Sequence, residues 1–152
     1  MSKHKATLNW NRAGADFDYK SYSRNHSWEF KDEVTLEASA ASQFLGDPSK
    51  VDPEDAFVAS LSSCHMLTFL AICSRKGIVV ESYLDEAVGF LDENDAGSLV
   101  ITRVELNPKT IFGDGVKVSL EELHELHEQS HHECFLANSV RSVITTNIEQ
   151  AT

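Results

Sequence analysis

Positive charge is scarce in this chain. Lys and Arg number 13 against 24 Asp and Glu in 152 residues, a formal net charge of −11. A sequence-independent nucleic-acid surface needs clustered bases to replace phosphate counterions, and an anionic membrane surface needs them too, so neither is expected as a partner. No run reaches the roughly 18 apolar residues of a membrane span. The opening Met-Ser-Lys-His-Lys-Ala-Thr-Leu-Asn-Trp lacks the apolar core of a secretory signal, which makes a cytoplasmic address the expectation. Also missing are a Gly-rich phosphate loop, a Gly-x-Ser-x-Gly elbow and a dinucleotide-binding fingerprint, so a nucleotide enzyme or a serine hydrolase has no support. There are only three cysteines, which cannot all pair within one chain. A reducing compartment keeps them as thiols, and their value is then chemical rather than structural.

What is present fits one domain over residues 1–152. The hydrophobic fraction of 41% and charged fraction of 24% are ordinary for a globular chain, and the length suffices for a core. Aromatic and β-branched residues mark short strands at Lys5–Asn9, Phe17–Tyr22, Ser27–Phe30 and Val34–Ala38. A loop around residues 45–50 leads to a clearly punctuated helix, Pro53–Lys76. Asp52 is its N-cap, Pro53 its first residue, Glu54 and Asp55 suit the positive end of its dipole, and Gly77 terminates it. Such a helix is about 36 Å long. It carries no charge between Ala56 and Cys73, so it is expected to be buried on every side. A small domain rarely covers so long an element alone. A second subunit packed near Ala56, Ser60 and Ser63 is therefore expected.

Two long strands, Ile78–Asp92 and Ser98–Phe112, flank the turn Glu-Asn-Asp-Ala-Gly and read as an antiparallel hairpin, with Pro108 at an edge or bend. Val80, Leu84, Val88 and Phe90 would share one face of the first. Ser119 and Glu122 form a capping box for a helix ending near His132. A last strand, Val140–Glu149, points Ile144, Thr146 and Ile148 inward. The fold class is α+β, with antiparallel sheets packed around a long central helix.

Cys64, on the long helix, is the candidate nucleophile. Burial alone leaves a thiol protonated and inert, so reactivity calls for a neighbouring cation. Arg24, in Tyr-Ser-Arg-Asn-His (22–26), is the chosen guanidinium, and Glu54 is a carboxylate that could hold it. Glu54 and Cys64 are ten residues apart, about 15 Å along a straight helix. If they share a site, Glu54 comes from a partner subunit; otherwise it is a helix-dipole acid. Cys73 lies half a turn of azimuth away from Cys64 and reads as core. Cys134 ends the second helix on the side of Leu120, Leu123 and His127. His124, His127 and His131 share a helical face, and with Cys134 and His65 they raise a zinc site as an alternative, though neither Cys-x-x-Cys nor His-Glu-x-x-His is present.

Asp-Pro-Glu (52–54), followed after ten residues by Cys64, with Cys134 ahead of a last strand, resembles the osmotically inducible protein C / organic hydroperoxide resistance (OsmC/Ohr) family over nearly the whole chain. His65-Met66-Leu67 after the first cysteine, and Phe135-Leu136-Ala137-Asn138-Ser139 after the second, mark a divergent branch. The resemblance implies an intertwined homodimer with active sites at the subunit interface. It implies reduction of organic hydroperoxides without metal or flavin, in oxidative or osmotic stress defence. By that likeness Cys64 is the peroxidatic cysteine and Cys134 resolves its sulfenic acid to a disulfide. Arg24 matches the family's arginine, Glu54 matches the carboxylate that orients it, and an external dithiol of lipoyl type restores the thiols. The alternative is a non-catalytic redox-sensing or ligand-binding protein on the same scaffold.

Overall fold

The computed structural model describes residues 1–149, and the chain divides into two compact units, Met1–Ala56 and the remainder from Phe57. In the first unit, β1 (Thr7–Asn9), β2 (His26–Glu29) and β3 (Thr35–Ala38) form an antiparallel sheet in that order. Ser39 donates its backbone N–H to Val51, extending β3 toward the start of the long helix. The expected strand at Phe17–Tyr22 is absent. Asp18 instead closes a turn, its carbonyl accepting the amides of Ser21 and Tyr22. The aromatic rings that suggested a strand pack on one another: Phe17 lies 5.2 Å from Tyr22 and 5.8 Å from Trp10, centroid to centroid.

The long helix, α1 (Pro53–Arg75), has the ends its sequence announces. Asp52 Oδ1 accepts the amide of Asp55 at 2.8 Å, and Gly77 sits at φ +72°. Ile78 N–H bonds Cys73 O and Gly77 N–H bonds Ser74 O, the paired closure in which a left-handed glycine satisfies the last carbonyls. By length and a mean hydropathy of 1.8, α1 would also pass for a membrane span. One face is instead core: Leu61, His65, Phe69, Ile72 and Cys73 are buried. The opposite face, with Ser60, Ser63, Leu67 and Ala71, is exposed in the single chain, so burial on every side is not met within one protomer.

The two expected long strands are each broken in two. β4 (Val80–Asp85) pairs with β7 (Pro108–Phe112), while β5 (Val88–Glu93) pairs with β6 (Leu99–Leu106), both antiparallel. The break is stapled by polar groups: Asp85 Oδ1 accepts the amide of Asn107 at 2.7 Å, and Asn107 Nδ2 donates to Glu86 O at 2.9 Å. A register shift between Val80 and Ser82 inside β4 resets the alternation before the break, and Leu84 and Val88 are exposed rather than inward. Pro108 opens β7 at this bend. The last strand shortens to β8 (Val143–Thr146) and joins β6 in parallel, which makes that sheet mixed. Ile144, Thr146 and Ile148 face inward as their alternation requires. Between β7 and β8 runs α2 (Leu120–Glu133), whose cap Ser119 accepts the amide of Glu122 at 3.1 Å.

Two apolar clusters hold α1 in the second unit. Phe69, Ile72 and Cys73 pack with Leu123 and Leu126 of α2, and Leu61 packs with Val104 and Leu106 of β6. Full burial of one such side chain as large as Phe69 is worth about 1.5–3 kcal/mol. The α1–α2 contact is the one that positions the sulfurs.

Candidate functional site: a dithiol between two helices

Cys64 stands mid-way along α1, and Cys134 is the C-terminal cap of α2. The buried stripe of α2 (Leu123, Leu126, His127, Ser130) carries Cys134 onto the same side, because four to seven residues bring a helix back to one face. The two sulfurs are 2.7 Å apart, with the Cys134 thiol donating toward Cys64 Sγ. Both are free thiols. Sequence reasoning could place the two cysteines on suitable faces but could not show that they meet.

Their surroundings are unequal. Cys134 is 1% exposed, and burial, then the bond to Cys64, pushes its pKa up. The amide of Ala137 donates to its sulfur at 3.4 Å. Cys64 is half-buried and borders an open depression of about 880 Å³ together with Ser63, Leu67, Ala71, Phe135 and Leu136. A small molecule therefore reaches one sulfur directly and the other only through it. Cys73 belongs to the core cluster, as expected, and burial raises its pKa.

Arg24 and Glu54 belong to the first unit. The Arg24 guanidinium donates to the carbonyls of Tyr22 and Tyr19 and lies 3.9 Å from the Tyr22 ring centroid. Its own backbone is fixed too. Trp28 Nε1 donates to His26 Nε2 at 2.7 Å, so His26 carries its proton on Nδ1 and donates it to Arg24 O at 2.8 Å. Trp10, Phe17, Tyr22, Arg24 and His26 edge an apolar pocket of about 360 Å³. Glu54 is half-buried, and among the described residues no ion pair joins it to Arg24 within one protomer. α1 is unbroken between Glu54 and Cys64, so their separation along it stays at about 15 Å.

The histidine stripe separates on folding. His124 and His131 are exposed, whereas His127 is 2% exposed and hydrogen-bonds His65 of α1, His65 Nε2 to His127 Nδ1, at 3.0 Å. Among the described residues no group of three or more His, Cys, Asp or Glu is placed to hold a metal. The sequence groups His65 with His127 only as possible zinc ligands, and their direct hydrogen bond is not foreseen because counting along one helix compares residues three and four apart. These partners are 62 residues apart, and the only sequence signal was a histidine at each of two positions on apolar faces.

The model of the family described as OsmC-like protein matches residues 46–149. No curated protein matches the sequence. Among solved structures, an OsmC-like protein of unknown function from Vibrio cholerae is 42% identical. The alignment covers 98% of this chain and all of that one, with a TM-score of 0.92. Two organic hydroperoxide resistance proteins share the fold at lower identity. That of Elizabethkingia anophelis is 19% identical over 96% of this chain and 93% of its own, TM-score 0.71. That of Bacillus subtilis is 17% identical over 97% of each, TM-score 0.68. With two thirds of its length matched by the family model and a homologue above 40% identity along its whole course, the chain belongs to the OsmC-like protein family.

Proposed function

We propose that the protein is a thiol-dependent peroxidase that reduces organic hydroperoxides, with Cys64 as the attacking sulfur and Cys134 as the resolving one. The observation that carries this reading is the 2.7 Å contact between one accessible and one enclosed sulfur. A resolving cysteine has to be close enough to bond without a large rearrangement, and shielded enough not to compete for the oxidant. Membership of a family whose structural neighbours include organic hydroperoxide resistance proteins supports the same chemistry.

The Cys64 thiolate attacks the distal peroxide oxygen, the O–O bond breaks, and the departing alkoxide takes a proton from water to become the alcohol. Cys64 is then a sulfenic acid. Cys134 sulfur displaces its hydroxyl as water and forms the disulfide. A dithiol of lipoyl type reduces that disulfide in two exchange steps. We assign Arg24 to the thiolate and Glu54 to the orientation of its guanidinium, by the family likeness, in a homodimer. The expected result of adding one equivalent of cumene hydroperoxide is a loss of two hydrogens, located by mass spectrometry to a Cys64–Cys134 peptide pair. An unchanged mass, or overoxidation of Cys64 without the bond, would count against the reading. Arg24→Lys should lower the rate constant for hydroperoxide while leaving the fold intact.

A further inference from the structure

His65 and His127 are each 2% exposed and are given no task by the dithiol chemistry. Their rings are nearly parallel, 4° apart with centroids 5.3 Å apart, and Phe69 stacks on His127 at 4.4 Å. Packing alone does not account for them. Replacing a buried hydrogen-bonded pair by apolar side chains of like shape is often neutral or stabilising. A polar pair adds direction: an N–H···N bond fixes the rotation and advance of one helix against the other, while hydrocarbon contacts tolerate sliding.

The placement makes that direction relevant. His65 follows Cys64 on α1, and His127 precedes Cys134 by seven residues, close to two turns, on the same buried face of α2. The helices are thus joined at two points, one nitrogen pair and one sulfur pair. A disulfide needs its sulfurs at about 2.05 Å. From 2.7 Å a slip of α1 on α2 of about one ångström either completes the bond or prevents it.

We propose that the His65–His127 hydrogen bond is a positioning pair that fixes the register of α1 on α2 and so holds Cys64 and Cys134 at the separation from which their disulfide closes. The inference rests on the reading of these cysteines as a redox pair, but not on the oxidant. It is tested without peroxide, by equilibrating the whole protein with glutathione disulfide. Cys64 and Cys134 give up two electrons and two protons, the glutathione S–S bond breaks, and two glutathione thiols form.

The decisive variant is the double change His65→Leu/His127→Leu, which removes both polar groups and leaves neither orphaned. It should regain stability over either single leucine variant in urea. Its equilibrium constant for disulfide closure should nevertheless fall at least about tenfold, as expected when reacting groups lose orientation. The amide pair His65→Gln/His127→Asn, which places an N–H and a carbonyl where the ring nitrogens were, should restore closure to near the wild-type constant. Closure by the leucine pair at the wild-type constant would overturn the proposal. So would an amide pair that closes no better than the leucine pair, or a wild type that does not close at all. Should the variants fail to fold, the imidazole ¹⁵N signals of wild-type His65 and His127 must shift between dithiol and disulfide forms; unchanged signals overturn the coupling. A wild type that closes with glutathione disulfide yet ignores hydroperoxide removes the peroxidase reading and leaves this one standing.

Discussion

Three thiols in one small protein meet three different surroundings, and single-atom replacements separate them. Cys64→Ser removes the accessible nucleophile and should reduce hydroperoxide consumption to the uncatalysed background in a ferrous-xylenol orange assay. Cys134→Ser leaves the first step intact. It should give one rapid turnover and a persistent sulfenic acid, detected by dimedone labelling. Cys73→Ser touches neither and should keep activity near wild type, while a hydroxyl buried beside Phe69 and Ile72 costs about 1–3 kcal/mol in urea unfolding. The separate placements of Cys64 and Cys73 could be argued from their azimuths on one helix. The His65–His127 contact could not, because its information lies in how two helices cross. Arg24 is one of five arginines, and its anchoring by the Tyr19 and Tyr22 carbonyls depends on a turn that aromatic content disguised as a strand.

At the scale of elements, the approach of β5 to α1 sets a tight limit. A Cβ on Gly89 would lie 2.4 Å from Val58 Cγ2, and Val58 belongs to the apolar cluster around Leu61. Gly89→Ala should therefore destabilise by about 1–3 kcal/mol, read as a lower urea midpoint, through displaced packing rather than strand propensity. Paired with Val58→Ala, which makes room, part of that loss should return. The helices were legible because their ends are written in local chemistry: Asp52, Gly77 and Ser119 each do at the backbone what their residue type favours. The strands were less so. Alternation located β5, β6 and β8, but the interruption at residues 86–87 and 107 is made by Asp85 and Asn107 bonding across the ribbon, an interaction that no single stretch of sequence contains. Pro108 was the one local sign of it. The parallel pairing of β8 with β6 was likewise invisible, since strand order is decided by which edge the connection through α2 reaches.

For the molecule as a whole, the buried imidazoles tie stability to acidity. Burial, joined by repulsion from His131 for His65 and from His65 for His127, lowers their pKa values from 6.5 to about 4 and about 3. Between 6.5 and those values the unfolded chain binds more protons than the folded one, so acid favours unfolding. Urea midpoints should be level above pH about 6.5 and decline as pH falls toward 4. The leucine pair at these positions should flatten that decline. The exposed face of α1 bears on assembly: Leu67 is 59% exposed between Ser63 and Ala71, beside a Phe135 that is 84% exposed. In the proposed homodimer the partner packs along this face and walls the depression at Cys64 without closing it, so Leu67→Asp should shift the sedimentation coefficient from dimer toward monomer and lower peroxide turnover with it.

In the proposed cycle, the one-sided enclosure of the sulfur pair also bears on how the disulfide would be reduced. An incoming reductant would meet Cys64 and become covalently attached there, expelling Cys134 as the departing thiol. Burial makes Cys134 a reluctant departing group, and thiol exchange slows as that group becomes more basic. With Cys134 replaced by serine, a monothiol that condenses with the Cys64 sulfenic acid would stay attached there as a mixed disulfide, whereas a dithiol donor would free itself through its own second sulfur.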